Sequence, residues 1–190
     1  MIPYPEPPLV AAAFVLRPFR ESDFDAALAL GEDPAAARWV PRLPAIDGAG
    51  VTAFFEESRL NGGLLHLVIA ERTSNEYLGE VMVAPGEHHV AELGCCVVPA
   101  ARGRGVATEA LRLLADWAFG ALGLGRLQVF VATENTPALR LAESAGFRRE
   151  GVLRSYWQND EARLDVVVLS RLPGDAAEKS SGVSCARGTS

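Results

Sequence analysis

Arg102-Gly103-Arg104-Gly105-Val106-Ala107 joins a strand-like apolar run, Leu93 to Val98, to a helical pattern that opens at Val106. The first N–H groups of a helix have no intrahelical partner and carry the positive end of its dipole, so such a junction attracts an anion. Gly103 and Gly105 admit backbone conformations denied to other residues and let the anion approach without meeting a Cβ. Arg102 and Arg104 add charge at the same spot, and the planar guanidinium fork suits phosphate oxygens. The stretch reads as a phosphate cradle between a strand and a helix, which calls for an α/β fold.

Two familiar phosphate loops share this layout and fit poorly. The P-loop needs Lys followed by Ser or Thr after its last Gly, where Val106-Ala107 stand. A dinucleotide fingerprint needs a third Gly where Thr108 stands, and Pro99 ends the strand well before the first Gly. A dinucleotide-dependent oxidoreductase, with Glu134 as its ribose-binding acid, would require that third Gly to be dispensable.

Working outward, Val106, Ala110, Leu113, Leu114, Trp117 and Ala118 recur at helical spacing, which predicts a helix with one face on a sheet. Leu127 to Ala132 reads as a strand, and Pro137 to Ala145 as a helix ended by Gly146. Val152 to Gln158 and Arg163 to Leu169 read as a closing hairpin that turns at Asn159-Asp160-Glu161. Upstream, Phe14 to Pro18 reads as a strand, and Ser22 or Asp23 caps a helix running through Leu30 to a stop at Gly31. A second helix covers Asp47 to Leu60, followed by neighbouring strands at Leu64 to Glu71 and Tyr77 to Val83 and a turn at Pro85 to His88. This order predicts a mixed, mostly antiparallel sheet with helices on both faces, an α/β (α+β) domain over residues 14–172. Residues 1–13 form a Pro-rich leader, and residues 173–190 a tail with few groups to bury and an expectation of disorder.

Composition bounds the function. The chain has 190 residues, enough for one well-buried core, and 49% hydrophobic with 22% charged residues reads as globular. A net charge of −6 argues against a general nucleic-acid binder. The N-terminus lacks a basic start and a long apolar run, and no stretch approaches the roughly 20 apolar residues that span a bilayer. With three cysteines and no paired framework, a reducing cytoplasm is the expected home.

Arg102, Gly105 and Ala107 form R-x-x-G-x-A, which resembles the acyl-CoA signature of the GNAT superfamily of N-acetyltransferases. Its surroundings extend the likeness: Ala91-Glu92-Leu93-Gly94 leads into the loop, and Asn135-Thr136-Pro137-Ala138-Leu139 through Gly146-Phe147 follows. Leu16 to Asp23, Asp33 to Val40, Glu150 to Arg154, Tyr156-Trp157 and Asp165 to Val168 resemble the ribosomal-protein N-acetyltransferase branch. The resemblance implies that the amides of Arg102, Gly103, Arg104, Gly105, Val106 and Ala107 hold the CoA pyrophosphate. It also implies that the sheet splays after the preceding strand, whose Cys96, Val97 and Val98 pair with the pantetheine arm. The partners so implied are acetyl-CoA and an amine acceptor, a protein N-terminal α-amine before a small molecule. A homodimer remains open, and no metal is required.

Direct attack of an amine on a thioester needs a bound thioester, a proton acceptor and a proton for the leaving thiolate. Asn135, at a strand end, offers a donor and an acceptor to the cofactor. Glu92, a carboxylate within an apolar strand, is the first candidate base, and Glu80 in Leu78-Gly79-Glu80-Val81 the second. Many relatives carry a hydroxyl for the thiolate at positions that are Ala142 or Ala138 here, so Ser144, Tyr156 or water is left for that role. The missing hydroxyls keep open an acyl-CoA-binding sensor without chemistry. Trp39, Tyr156 and Trp157 are candidates for the acceptor pocket, together with Phe54. Cys95-Cys96 reads as a pair of buried small hydrophobes, and His88-His89 as a solvated turn.

Overall fold

The computed structural model describes residues 1–39, 47–158 and 162–175. In chain order its elements are β1 (Leu9–Val10), β2 (Phe14–Arg17), α1 (Phe24–Glu32), α2 (Gly48–Leu60), β3 (Leu65–Glu71), β4 (Tyr77–Pro85) and β5 (Val90–Val97). They continue with α3 (Val106–Leu122), β6 (Arg126–Ala132), α4 (Thr136–Ser144), β7 (Arg148–Gln158) and β8 (Arg163–Arg171). The strands form one 8-stranded sheet in the order β1-β2-β3-β4-β5-β6-β8-β7. The β5–β6 pair is parallel and all the others are antiparallel, the mixed sheet that the sequence predicts.

Period-2 alternation sorts the side chains between two layers. On the back, Leu67, Ile69, Val81, Val83, Leu93, Leu127, Val129 and Leu169 pack against the buried stripe of α3 and against Leu139 and Ala142 of α4. On the front, Val68, Ala70 and Tyr77 pack against Phe19, Ala27, Leu30 and Val51 from the α1–α2 side. Asp23 anchors the start of α1 through a buried bidentate pair with Arg17, at 2.7 and 2.9 Å. Asp47 caps α2 by accepting from the Gly50 N–H at 2.8 Å.

The structure extends two of the sequence expectations. Part of the segment read as a leader is tied down: β1 pairs with β2, and Ile2 is buried beside Arg59, which donates to its carbonyl at 2.7 Å. Short apolar residues between the prolines suffice for this, and they are too few to announce a strand. The last hairpin starts at Arg148 rather than Val152. As an edge strand, β7 is exposed at most of its positions, so charged residues replace the alternation that reveals a covered strand. Its turn at Asn159 to Glu161 lies outside the described residues, as do residues 40–46 and the tail beyond residue 175.

One irregularity creates the site. The β5–β6 ladder joins only Val90 to Arg126, Ala91 to Leu127 and Glu92 to Gln128. Beyond Glu92 the strands part, with β5 held by β4 and β6 held by β8.

Candidate active site

The open edges of this gap follow from hydrogen-bond alternation. The Val98 N–H donates to the Leu78 carbonyl at 2.9 Å, and the Gly86 N–H donates to the Val90 carbonyl at 2.8 Å. Both ends of the ladder therefore put the even-numbered residues of β5 in the narrow pairs with β4. The backbone groups of Leu93, Cys95 and Val97 turn to the gap. Of the three residues expected there, Cys96, Val97 and Val98, only Val97 does so, because Cys96 and Val98 face β4. Across the gap, the Thr133 N–H bonds to the Asp165 carbonyl, so odd residues of β6 serve β8 and Phe130 offers its backbone to the opening.

At the end of β5, Pro99–Ala101 form a short 3₁₀ turn, and the loop enters α3 through two residues of positive φ, Gly103 at 71° and Gly105 at 79°. A Cβ on either would meet no atom of the described residues within 4 Å. Gly105 occupies the N-cap of α3, and among the described residues no side chain caps the helix's first amides. Arg102 leans away toward α1, where its guanidinium donates to Asp33 Oδ2 at 2.5 Å. That contact holds the Asp33 carboxyl below its ordinary range. Arg104 donates weakly to the Ala100 carbonyl at 3.5 Å. On the far lip, Asn135 caps α4 by accepting from the Ala138 N–H at 3.3 Å, and among the described residues its amide nitrogen donates to no group. Arg38 lies 4.9 Å over the Trp39 ring and pairs with Glu134 at 2.9 Å, so the turn after α1 is fastened to both lips of the gap.

Both candidate bases lie on the front face. Glu92 is opposite Ala84 on one side and Gln128 on the other, at the closed end of the gap, and borders a cavity of about 370 Å³. Burial alone raises its carboxyl pKa. Glu80 is opposite Cys96, about 13 Å along the strands from Glu92 at a rise near 3.3 Å per residue. Its Oε2 accepts from His66 Nε2 at 2.9 Å and from the Tyr77 hydroxyl at 3.0 Å. Burial works against its charge, yet these donors outweigh it and hold the Glu80 pKa low.

Tyr156 reaches the same face through an irregularity of β7 between Leu153 and Trp157, where Ser155 has a φ of 54°. Its ring stacks on Phe130 at 5.4 Å. Trp157 pairs with Leu164 farther along the hairpin. Phe54 is solvent-exposed on α2. Ser144 ends α4, the full helix length from Asn135, and Ala142 is buried in the back core. Among the described residues, no cluster of three or more His, Cys, Asp or Glu could hold a metal ion, and no helix is long and apolar enough to cross a membrane.

Residues 14–148 match the family model of the acetyltransferase (GNAT) domain. The chain belongs to the GNAT family. The uncharacterized N-acetyltransferase p20 of Bacillus licheniformis is 27% identical to it over 89% of this chain and 98% of its own. N-alpha-acetyltransferase RimI of Mycobacterium tuberculosis is 32% identical over 82% of this chain and 87% of its own. Among solved structures, Mycobacterium smegmatis RimJ in complex with CoA-disulfide superposes with a TM-score of 0.74 at 27% identity, over 87% of this chain and 85% of that one. Ribosomal-protein-S5-alanine acetyltransferase from Vibrio fischeri shares the fold, with a TM-score of 0.76 at 18% identity over 88% and 97%. The chain is thus a GNAT N-acetyltransferase, and acetyl-CoA is the family's acetyl donor.

His66, Tyr77, Gln128, Phe130 and Asp33 join the site without a motif of their own in the sequence. The β3–β4 hairpin carries the one usable signal: a turn at Arg72 to Glu76 sets Val68 opposite Glu80, which brings His66 into diagonal reach.

Proposed function

We propose that this protein transfers an acetyl group from acetyl-CoA to a primary amine, with a protein N-terminal α-amine as the acceptor class. The observation that carries the reading is the gap between β5 and β6, with an uncapped helix N-terminus and two positive-φ glycines at its mouth. The donor set fits the cosubstrate: free α3 amides and Arg104 for the pyrophosphate, and Leu93, Cys95 and Val97 backbone for an extended amide-bearing arm. Acetyl-CoA supplies a thioester carbonyl open to attack.

The residues on the front face then divide the work. Glu92, raised by burial, takes the proton from the incoming ammonium through a chain of waters. Tyr156 and Phe130 bound the acceptor's path, and Trp39 with Arg38, which pairs with Glu134, bounds it at the mouth of the same lip. With Ala138 and Ala142 in the family's hydroxyl positions, the thiolate takes its proton from Tyr156 or water. The α-amine preference is supported by the N-terminal and closing segments, and by the name of the RimI relative that covers most of the chain.

Calorimetric titration with acetyl-CoA beside NADH and ATP tests the cosubstrate, and thiol release over amines and N-terminal peptides tests the acceptor. Acetyl-CoA binding with peptide-dependent thiol release is the expected result. Binding without any release would favour a sensor, and no binding would overturn the reading.

A further inference from the structure

The front face holds a second carboxylate whose surroundings differ from those of Glu92. Glu80 uses one oxygen for two hydrogen bonds, from His66 Nε2 at 2.9 Å and Tyr77 at 3.0 Å. Its other oxygen, Oε1, makes no hydrogen bond among the described residues, and the side chain keeps 19% of its surface accessible. The donors are themselves immobilised. His66 is stacked on Phe55 at 3.9 Å and 1°, meets the Phe19 ring edge-on at 6.1 Å, and exposes only 7% of its side chain. Its Nδ1 is buried without a partner among the described residues, and the ring's other nitrogen is the one bonded to Glu80. Tyr77 is buried in the same cluster.

Such a clamp serves little as a fold element, because it leaves half of a partly buried carboxylate unserved. It makes sense for an anion held ready for a cation. Glu80 stands opposite Cys96, on the strand that borders the gap, and shares its face with Glu92. The titratable groups that surround it are His66 from β3, Tyr77 from β4 and Cys96 from β5. Burial and then the charge of Glu80 push the Cys96 thiol up to about 11, so no competing anion forms there. Amine acceptors arrive as ammonium ions near neutral pH, and a fixed negative charge in a half-buried site selects them.

We propose that Glu80 is the anchor for the acceptor's ammonium group, with Oε1 receiving the cation while His66 and Tyr77 hold Oε2. His66 is then a positioning residue, and the acceptor class is a primary ammonium. This deepens the acetyl-transfer reading and rests on it. The division of labour follows: Glu80 stays charged and binds, whereas Glu92, about 13 Å along the sheet at about 3.3 Å per residue, accepts the proton relayed through water.

The test uses the full chain with 13C-labelled glutamate, titrated with n-butylammonium chloride and, in parallel, with the neutral isostere 1-butanol. Each series is run with and without CoA. The expected result is a saturable shift of one carboxyl signal, absent from Glu80→Gln, with butylammonium and none with butanol. In His66→Phe the ammonium midpoint rises about tenfold while CoA affinity holds, and His66→Gln, which keeps a donor, recovers most of it. Should His66→Phe fail to fold, Tyr77→Phe removes only the hydroxyl and weakens the ammonium response by a smaller factor. No saturable shift, an equal shift with butanol, or a His66→Phe midpoint equal to wild type overturns the anchor. Failure to bind CoA overturns the acetyl-transfer reading instead, and the CoA-free series still decides the anchor.

Discussion

The loop side of the gap and the front face of the sheet are built by opposite means. On the loop side, recognition rests on backbone: two glycines, the first amides of α3 and the open edge of β5. On the front face it rests on side chains from distant strands: His66 with Glu80, Glu92 beside Gln128, and Phe130 under Tyr156. A backbone site tolerates many side chains and depends on conformation, whereas the front face depends on which groups the register brings together. The first therefore suits a cosubstrate common to a family, and the second an acceptor that varies between members.

The largest expected effect lies on the front face. Glu92→Gln lowers kcat by about 100-fold, the scale of general-base catalysis, while acetyl-CoA affinity stays within a factor of two. Its wild-type kcat/KM rises with pH through the elevated Glu92 pKa, and the variant loses that limb. The same substitution raises Tm slightly at pH 7. A carboxyl whose folded pKa is raised contributes stability below its unfolded pKa and loses it as pH climbs through the folded one, so the gain from Gln disappears in acid. An unchanged kcat would remove Glu92 from the chemistry.

Next comes the loop. Gly105→Val weakens acetyl-CoA roughly 10- to 100-fold, because valine at a φ of 79° costs about 1–3 kcal/mol and escapes by moving the cradle. Calorimetry alongside circular dichroism checks this, and full affinity in a folded variant would contradict a backbone-built site. Tyr156→Ala raises the acceptor KM roughly 2- to 10-fold, from loss of an aromatic pair worth about 0.5–1.5 kcal/mol, and leaves the acetyl-CoA KM alone. Coupled shifts in both KM values would blur the boundary between the two regions.

The smallest effect sits where the regions touch. Asp33→Asn frees Arg102 for phosphate and tightens acetyl-CoA roughly 2- to 5-fold at low salt, the range of an exposed ion pair. The gain fades as ionic strength rises. Weaker binding would mean that Asp33 aims Arg102 at the ligand instead of competing for it.

The same contrast explains what could be read without coordinates. The cradle was legible because a glycine's conformational role and a helix start are local, and the helix stripes and the β3–β4 hairpin were legible for the same reason. Even there the count slipped: Leu93 and Cys95 turn to the gap where Cys96 and Val98 were expected, since the parity of a ladder is set by its turn and not by its composition. The front face was legible one residue at a time. Glu80 and Tyr156 stood out as residue types, but His66 meets Glu80 only through the exact register of the β3–β4 hairpin, and Tyr156 reaches Phe130 only through an irregular strand. The strand of Arg148 to Gly151 was hidden because an edge strand need not alternate.

The parted strands also bear on how the chain avoids its own kind. An unpaired strand edge is ordinarily a template for aggregation, and β7 carries that risk at the rim under a cover of arginines. The edges of Leu93 to Val97 and of Phe130 face inward across a wedge closed at Glu92 and Gln128. A second protein's strand, with neighbours on both flanks, has no way into that wedge, whereas a lone extended chain does. The protein thus keeps an adhesive surface permanently available to a thin molecule and withholds it from every folded one.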